Sequence, residues 1–231
     1  MKSKQLRNVT IAALGLCAVG ATLPAFAATT ASVSVSSMYL WRGMAISGPS
    51  PAVSGDIYFN HDSGAYAGIW TSSEGVSGSH ETDLNVGFAK KFGDFGIDIG
   101  YYEYLYPEHQ TCATTVVGTE VVETCDTTSL SDSDASEYYI GGSFGPVSAK
   151  LLINTEETKN MYLTIDGMWG SFGAHIGSTM NKVSDAEYTD FNVSYMPVAN
   201  LTWTVSVASG KGAMEKDPLF VVSYKWPFDV K

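Results

Sequence analysis

Arginine, cysteine and long apolar runs are what this chain has least of. Arg7 and Arg42 are its only arginines, and Cys17, Cys112 and Cys125 its only cysteines. Three of the 13 basic side chains, Lys2, Lys4 and Arg7, precede residue 28, and none of the 24 acids does. The remainder carries 10 bases against 24 acids, a net charge of −14. That balance excludes nucleic acid as a partner, because surfaces that bind it are basic. Beyond the N-terminal region no segment approaches the ~18 apolar residues of a membrane-spanning helix. Helical periodicity is missing too, while glycine (23) and tyrosine (13) are frequent, so the chain reads as almost all strand.

Catalytic signatures are also absent. The sequence has no G-x-S-x-G, H-E-x-x-H or P-loop. Of its histidines, His61 lies near Ser63 in a turn, and His175 is expected to face inward with no clear serine and acid partner. Neither enzyme activity nor a cofactor or metal is expected. The acidic stretch 125–137 offers Asp132, Asp134 and Glu137 but lacks the glycine and spacing of an EF-hand, and reads as a solvated loop.

What is present begins with an export signal over residues 1–27. Lys2, Lys4 and Arg7 form a basic start, Val9 to Leu23 an apolar run, and Ala25-Phe26-Ala27 a small-x-small cleavage site. Leu16 is too bulky beside Cys17 for the usual lipid-attachment pattern. The domain then runs over 28–231. Export places Cys112 and Cys125 in an oxidising compartment, where a local disulfide is expected. A ring this short contributes about 3 kcal/mol at most by loop entropy.

Segments of about ten residues with period-two alternation recur from end to end. "AVSGDIYFNH" sets Val53, Ile57 and Phe59 against Ser54, Asp56 and Asn60. "FGIDIGYY" sets Phe95, Ile97 and Ile99 against Gly96, Asp98 and Gly100. The last strand, "FVVSYKWPF", sets Phe220, Val222, Tyr224, Trp226 and Phe228 on one side. "SVSVSSMYLWRG" likewise sets Val33, Val35, Tyr39 and Trp41 together. Two places do not decide: in "GAYAGIWTSS" either Tyr66/Trp70 or Ala65/Ile69 could face out. Glu103 falls on the greasy parity, so it either lies beyond the hydrocarbon or follows a bulge.

Tight turns at 61–64, 92–96, 144–147, 170–173 and 197–200 alternate with longer polar connections at 44–50, 74–80, 107–135, 155–160, 181–187 and 210–217. Counting between them predicts 12 strands, with both ends on the tight-turn side. That is the layout of an up-and-down outer-membrane β-barrel with short periplasmic turns and long outer loops. Lipid offers no hydrogen bonds, so the sheet must close. Aromatics cluster toward the two ends, with Phe92, Trp169, Trp226 and Phe228 by the tight turns and Tyr39 and Trp41 toward the loops, as interface belts do. A soluble exported barrel also alternates, but its outward face would be charged.

On these residues the chain resembles the TorF family of porin-like proteins, a proteobacterial outer-membrane barrel family of unknown function. The likeness rests on "YLWRG" (39–43), "PAVSGDIYFNHDSGAYAGIW" (51–70), "ETDLNVGFAKKFGDFGIDIGYYEYLYP" (81–107) and the closing strand. It implies an outer-membrane barrel and passive transport, and hands over no site residues. The cysteine-bearing loop departs from the family.

The expected lumen is acidic. Arg42, Asp56, Asp83, Asp98, Lys150, Asp166 and Asp190 are the expected pore-lining residues, and inward acids outnumber inward bases. A weakly cation-preferring channel for small solutes or ions follows. Alternatively the charges pair across a filled lumen, leaving a closed barrel that presents loops for adhesion or assembly. Less favoured are a lipid-modifying enzyme and a soluble periplasmic binding barrel. Arg42 either holds a loop or an anionic group or, as favoured, makes an internal salt bridge. Expected partners are outer-membrane lipid and, through the C-terminal strand, the barrel-assembly machinery.

Overall fold

Period-two alternation gives each strand one apolar and one polar face, and a sheet with hydrocarbon on one side can leave no edge unpaired. The computed structural model describes residues 28–74, 80–106, 109–117, 120–128, 135–181 and 186–230, and in it the sheet closes. The export signal expected over 1–27 lies outside the described residues, as do Asp132 and Asp134.

Sixteen strands occur in chain order: β1 (Ala28–Ser36), β2 (Leu40–Trp41), β3 (Met44–Ala45), β4 (Ala52–Asn60), β5 (Ala65–Ser73), β6 (His80–Phe92), β7 (Phe95–Leu105), β8 (His109–Val117), β9 (Glu120–Thr128), β10 (Ala135–Phe144), β11 (Val147–Asn154), β12 (Asn160–Trp169), β13 (Phe172–Asn181), β14 (Tyr188–Val198), β15 (Leu201–Gly210) and β16 (Leu219–Val230). Twelve form an antiparallel barrel that runs β1-β16-β15-β14-β13-β12-β11-β10-β7-β6-β5-β4 and back to β1. The twelve predicted strands are therefore present. They run from eight residues (β11) to 13 (β6), bracketing the ~9–11 that a tilted strand needs to cross a bilayer.

The other four strands sit in connections. β2 and β3 make a small hairpin between β1 and β4, and β8 and β9 pair within the expected long loop 107–135. Each of the five tight turns holds one residue at positive φ: Gly64, Gly93, Gly145, Gly170 and Asn200. Such residues supply the left-handed backbone that short hairpins require. Pro197, which cannot donate to a ladder, lies where the β14–β15 register shifts.

The barrel is inside-out relative to a soluble protein. Phe95 (61% exposed), Val193 (60%), Phe220 (56%) and Ile165 (45%) stand on the outer face, while the buried cluster inside is built from Tyr66, Tyr102, Tyr104, Tyr139, Leu152 and Tyr162. The undecided strand is settled: Ala65 and Ile69 face out, and Tyr66 and Trp70 face in. Around Glu103 the β6–β7 and β7–β10 registers are continuous, so no bulge intervenes. Glu103 stays on the outer parity and accepts a hydrogen bond from the Tyr101 hydroxyl.

Candidate functional site

The connection after β1 builds the most distinctive part of the lumen. The chain leaves the wall at Ser36, whose Oγ donates to the Met38 carbonyl (2.6 Å). Residues 40–45 then fold into the β2–β3 hairpin, with Trp41 paired to Met44 across a two-residue turn. Its central residues, Arg42 and Gly43, have φ of 47° and 77°. Two successive positive φ values define the turn that closes the shortest hairpins. Within the segment, the Tyr39 N–H donates to Ser47 Oγ (2.8 Å), and Ser47 Oγ donates to the Ser50 carbonyl (2.6 Å).

This hairpin lies inside the barrel. The Tyr39 hydroxyl donates to Glu81 on β6 (2.7 Å), and its ring meets Trp70 on β5 (5.4 Å between centroids). Burial first, then the Glu81 carboxylate, holds that hydroxyl protonated well above its ordinary pKa. Arg42 reaches Glu137 on β10 (2.6 Å), and its guanidinium lies 4.3 Å from the ring centroids of both Trp41 and Tyr162, the latter on β12. Burial opposes the Arg42 charge, but Glu137, Tyr104 and Tyr162 together more than offset it, and the pKa rises above the usual guanidinium value. β10 and β12 flank β11, which stands six places from β1 in the ring of twelve. The segment therefore spans the lumen from its own wall to the opposite one. Gly43 rests on the wall between these contacts: a Cβ there would stand 2.6 Å from Asp190 Cβ and 3.2 Å from Ala208 Cβ.

Tyr39 and Trp41 thus correct the sequence reading, which carried the parity of β1 through them and put both at the lipid interface. The strand ends at Ser36, and the Arg42-Gly43 turn folds both rings inward. Glu137, at the end of the acidic stretch 125–137 and the start of β10, faces inward and is buried against Arg42 and Tyr104. Phe92, Trp169, Trp226 and Phe228 are exposed on the outer face toward the tight-turn end.

The wall around the hairpin is ionic. On one flank the Lys150 ammonium pairs with Asp98 (2.9 Å) and lies 4.1 Å from the Tyr139 ring centroid, and Tyr66 donates to Asp98 (2.6 Å). On another, Lys225 pairs with Asp56 (3.1 Å), to which Ser32 also donates. His175 bridges Asp166 (2.6 Å at Nδ1) and Asp190 (3.0 Å at Nε2), and Tyr162 donates to Asp190 (2.9 Å). His175 therefore has the acid partners that its sequence context did not reveal. Asp83 faces inward on β6, two residues from Glu81, and among the described residues neither makes a salt bridge. Arg42, Asp56, Asp83, Asp98, Lys150, Asp166 and Asp190 all face the inside of the barrel.

One feature was not anticipated. Tyr58 is paired in register with Gly68, Tyr66 with Gly87 and Tyr139 with Gly100, and each ring lies over its glycine, leaving no room for a Cβ. Tyr162, paired in register with Thr179, reaches diagonally and lays its hydroxyl end over Gly177. The rings run along the wall. The visible signal was inward tyrosine and glycine at cross-strand positions, which needs the register to read. Cys112 and Cys125 are directly opposite each other in the β8–β9 pair. His61 Nδ1 and Ser63 Oγ lie 2.9 Å apart in an exposed turn.

Residues 21–210 match the model of a family described as a bacterial protein of unknown function (Gcw_chp). No curated protein matches the chain. Among solved structures, Escherichia coli outer membrane phospholipase A is similar at 11% identity and TM-score 0.41, over 87% of this chain and 92% of that one. Pseudomonas aeruginosa OpdK, solved with vanillate, is similar at 12% identity and TM-score 0.38, over 79% and 59%. A mutant Rh. blastica porin is similar at 8% and 0.32, over 89% and 99%. At such identities and scores these likenesses carry no argument about activity.

Proposed function

The chain belongs to the Gcw_chp family of bacterial proteins of unknown function, and we propose that this member is an outer-membrane channel for passive diffusion of small solutes or ions, with a weak preference for cations. The observation that carries the reading is the opposition of the two barrel faces. The outside is apolar at Val53, Ile97, Ile140, Ile165 and Val205, and the inside carries ionised side chains at Asp56, Asp98, Lys150 and Lys225. In a membrane the lumen is then the polar path. The tight turns face the periplasm and the longer connections face outward, as in outer-membrane barrels generally. The porin-like resemblance of the sequence supports the same reading.

Cation preference follows from charge count. Asp56, Asp98 and Glu137 are matched by Lys225, Lys150 and Arg42, and Asp166 and Asp190 share His175. Asp166 and Asp190 thus share one partner, so the paired groups of the lumen hold more acids than bases, and an acidic lumen favours cations. Catalysis is not part of the proposal. The test is refolded protein in planar bilayers under a salt gradient. Discrete current steps with a reversal potential on the cation side are expected, and a folded, inserted barrel that passes no current contradicts the reading.

A second reading has its own observation. The hairpin and the buried tyrosines lie inside the lumen, as befits a closed barrel that presents loops for adhesion or assembly. Deleting 108–134, which holds the β8–β9 hairpin, would then abolish partner binding while the barrel stays folded.

A further inference from the structure

We infer that the β2–β3 hairpin is a gate latched across the lumen by the Arg42–Glu137 pair, an inference that rests on the channel reading for its consequence but not for its geometry. Two strands of two residues each cannot hold themselves together in water, since isolated hairpins are marginal even when longer. The hairpin's conformation is therefore imposed by the wall. Arg42 shows this directly: a non-glycine residue at φ 47° occupies a backbone region that is unfavourable without surrounding contacts. Those contacts are the Glu137 carboxylate and the two flanking rings.

The far anchor depends on one matched pair of charges. The Arg42 and Glu137 side chains are 12% and 9% exposed, so neutralising one strands the other in a poorly hydrated place. The hairpin, unlike a wall strand, can relieve that by swinging out: its near end is tied by Tyr39 to Glu81 and Trp70, by Ser37 to Val222 and by contacts within the segment, and none of these ties is a salt bridge. The inward state is held by the pair and the outward state by hydration of whichever charge is left unpaired, the Arg42 guanidinium or the Glu137 carboxylate. Gly43 permits the close seat against Asp190 and Ala208 that completes the closed position.

The test reads the hairpin itself and the current separately. Leu40 is buried on the hairpin. In a Cys112→Ser/Cys125→Ser background, Leu40→Cys is labelled with a charged, membrane-impermeant maleimide in reconstituted vesicles. Glu137→Gln and Arg42→Gln are expected to speed labelling at least about tenfold and to raise single-channel conductance. The exchanged pair Arg42→Glu/Glu137→Arg is expected to slow labelling again, which covers the case where a single variant fails to fold. Faster labelling without added conductance keeps the latch and overturns the channel reading. Unchanged labelling in variants that keep the heat-shifted gel mobility of a folded barrel overturns the gate.

Discussion

The two faces of the barrel wall obey different rules of substitution. Outside, Ile97, Ile140, Ile165 and Val193 face a fluid solvent of acyl chains, which asks only that each be apolar. Inside, groups are matched one to one: Lys150 to Asp98, Arg42 to Glu137, and the Tyr66 and Tyr139 rings to Gly87 and Gly100. The outer face needs composition and the inner face needs geometry. A change of shape should therefore be silent on one side and costly on the other, whereas a change of charge is costly outside and functional inside.

The largest expected effect is a charge on the outer face. Ile165 lies at the middle of β12, and Ile165→Arg should destabilise the barrel by about 2–4 kcal/mol, the cost of a lipid-facing arginine at the midplane, measured by denaturant titration in lipid vesicles. A value near zero would mean that this face does not meet hydrocarbon. Next is shape on the inner face. Gly100→Val meets both the Tyr139 ring and the Val86 carbonyl and should cost about 1–3 kcal/mol by overpacking. The same titration should place Val193→Ile on the outer face within about 0.5 kcal/mol of the parent. Asp98→Asn, which removes the carboxylate paired with Lys150 without setting a second ammonium beside it, should keep the barrel folded and move the reversal potential toward anions. The smallest effect on the barrel is at the cysteines. Protein isolated from the envelope should show no free thiol by mass after alkylation, and Cys112→Ser/Cys125→Ser should not shift barrel unfolding, because β8 and β9 form a sheet of their own.

This asymmetry also explains what could be read from the sequence. The outer face announces itself within each strand, since Phe95, Ile97 and Ile99 need only their own spacing. The turns are equally local, with glycine or asparagine at the residue of positive φ. Strand number and closure follow from these two signals. The lumen is different because its partners are far apart in the chain: Arg42 meets Glu137 across 95 positions, and Tyr66 meets Tyr139 across 73. Inward parity was legible for Asp56, Asp83 and Asp98, but the pairing of charges was not. Tyr39 and Trp41 were misread for a related reason. Their spacing continues that of Val33 and Val35, and nothing in the alternation itself marks the exit from the wall at Ser36. The Arg-Gly turn does mark it, once two positive φ values are recognised as the requirement of a two-residue hairpin. Tyr66 and Trp70 were undecided because both parities of β5 are apolar.

On the channel reading the lumen is a conduit, and the segment between β1 and β4 is what narrows it. The most direct measurement is the single-channel current of a barrel in which residues 38–49 are replaced by a short Gly-Ser turn, compared with the parent in the same planar bilayer. Larger discrete steps than the parent shows are expected, with cations still preferred. A folded, inserted barrel that lacks the hairpin and still passes no current would contradict that reading.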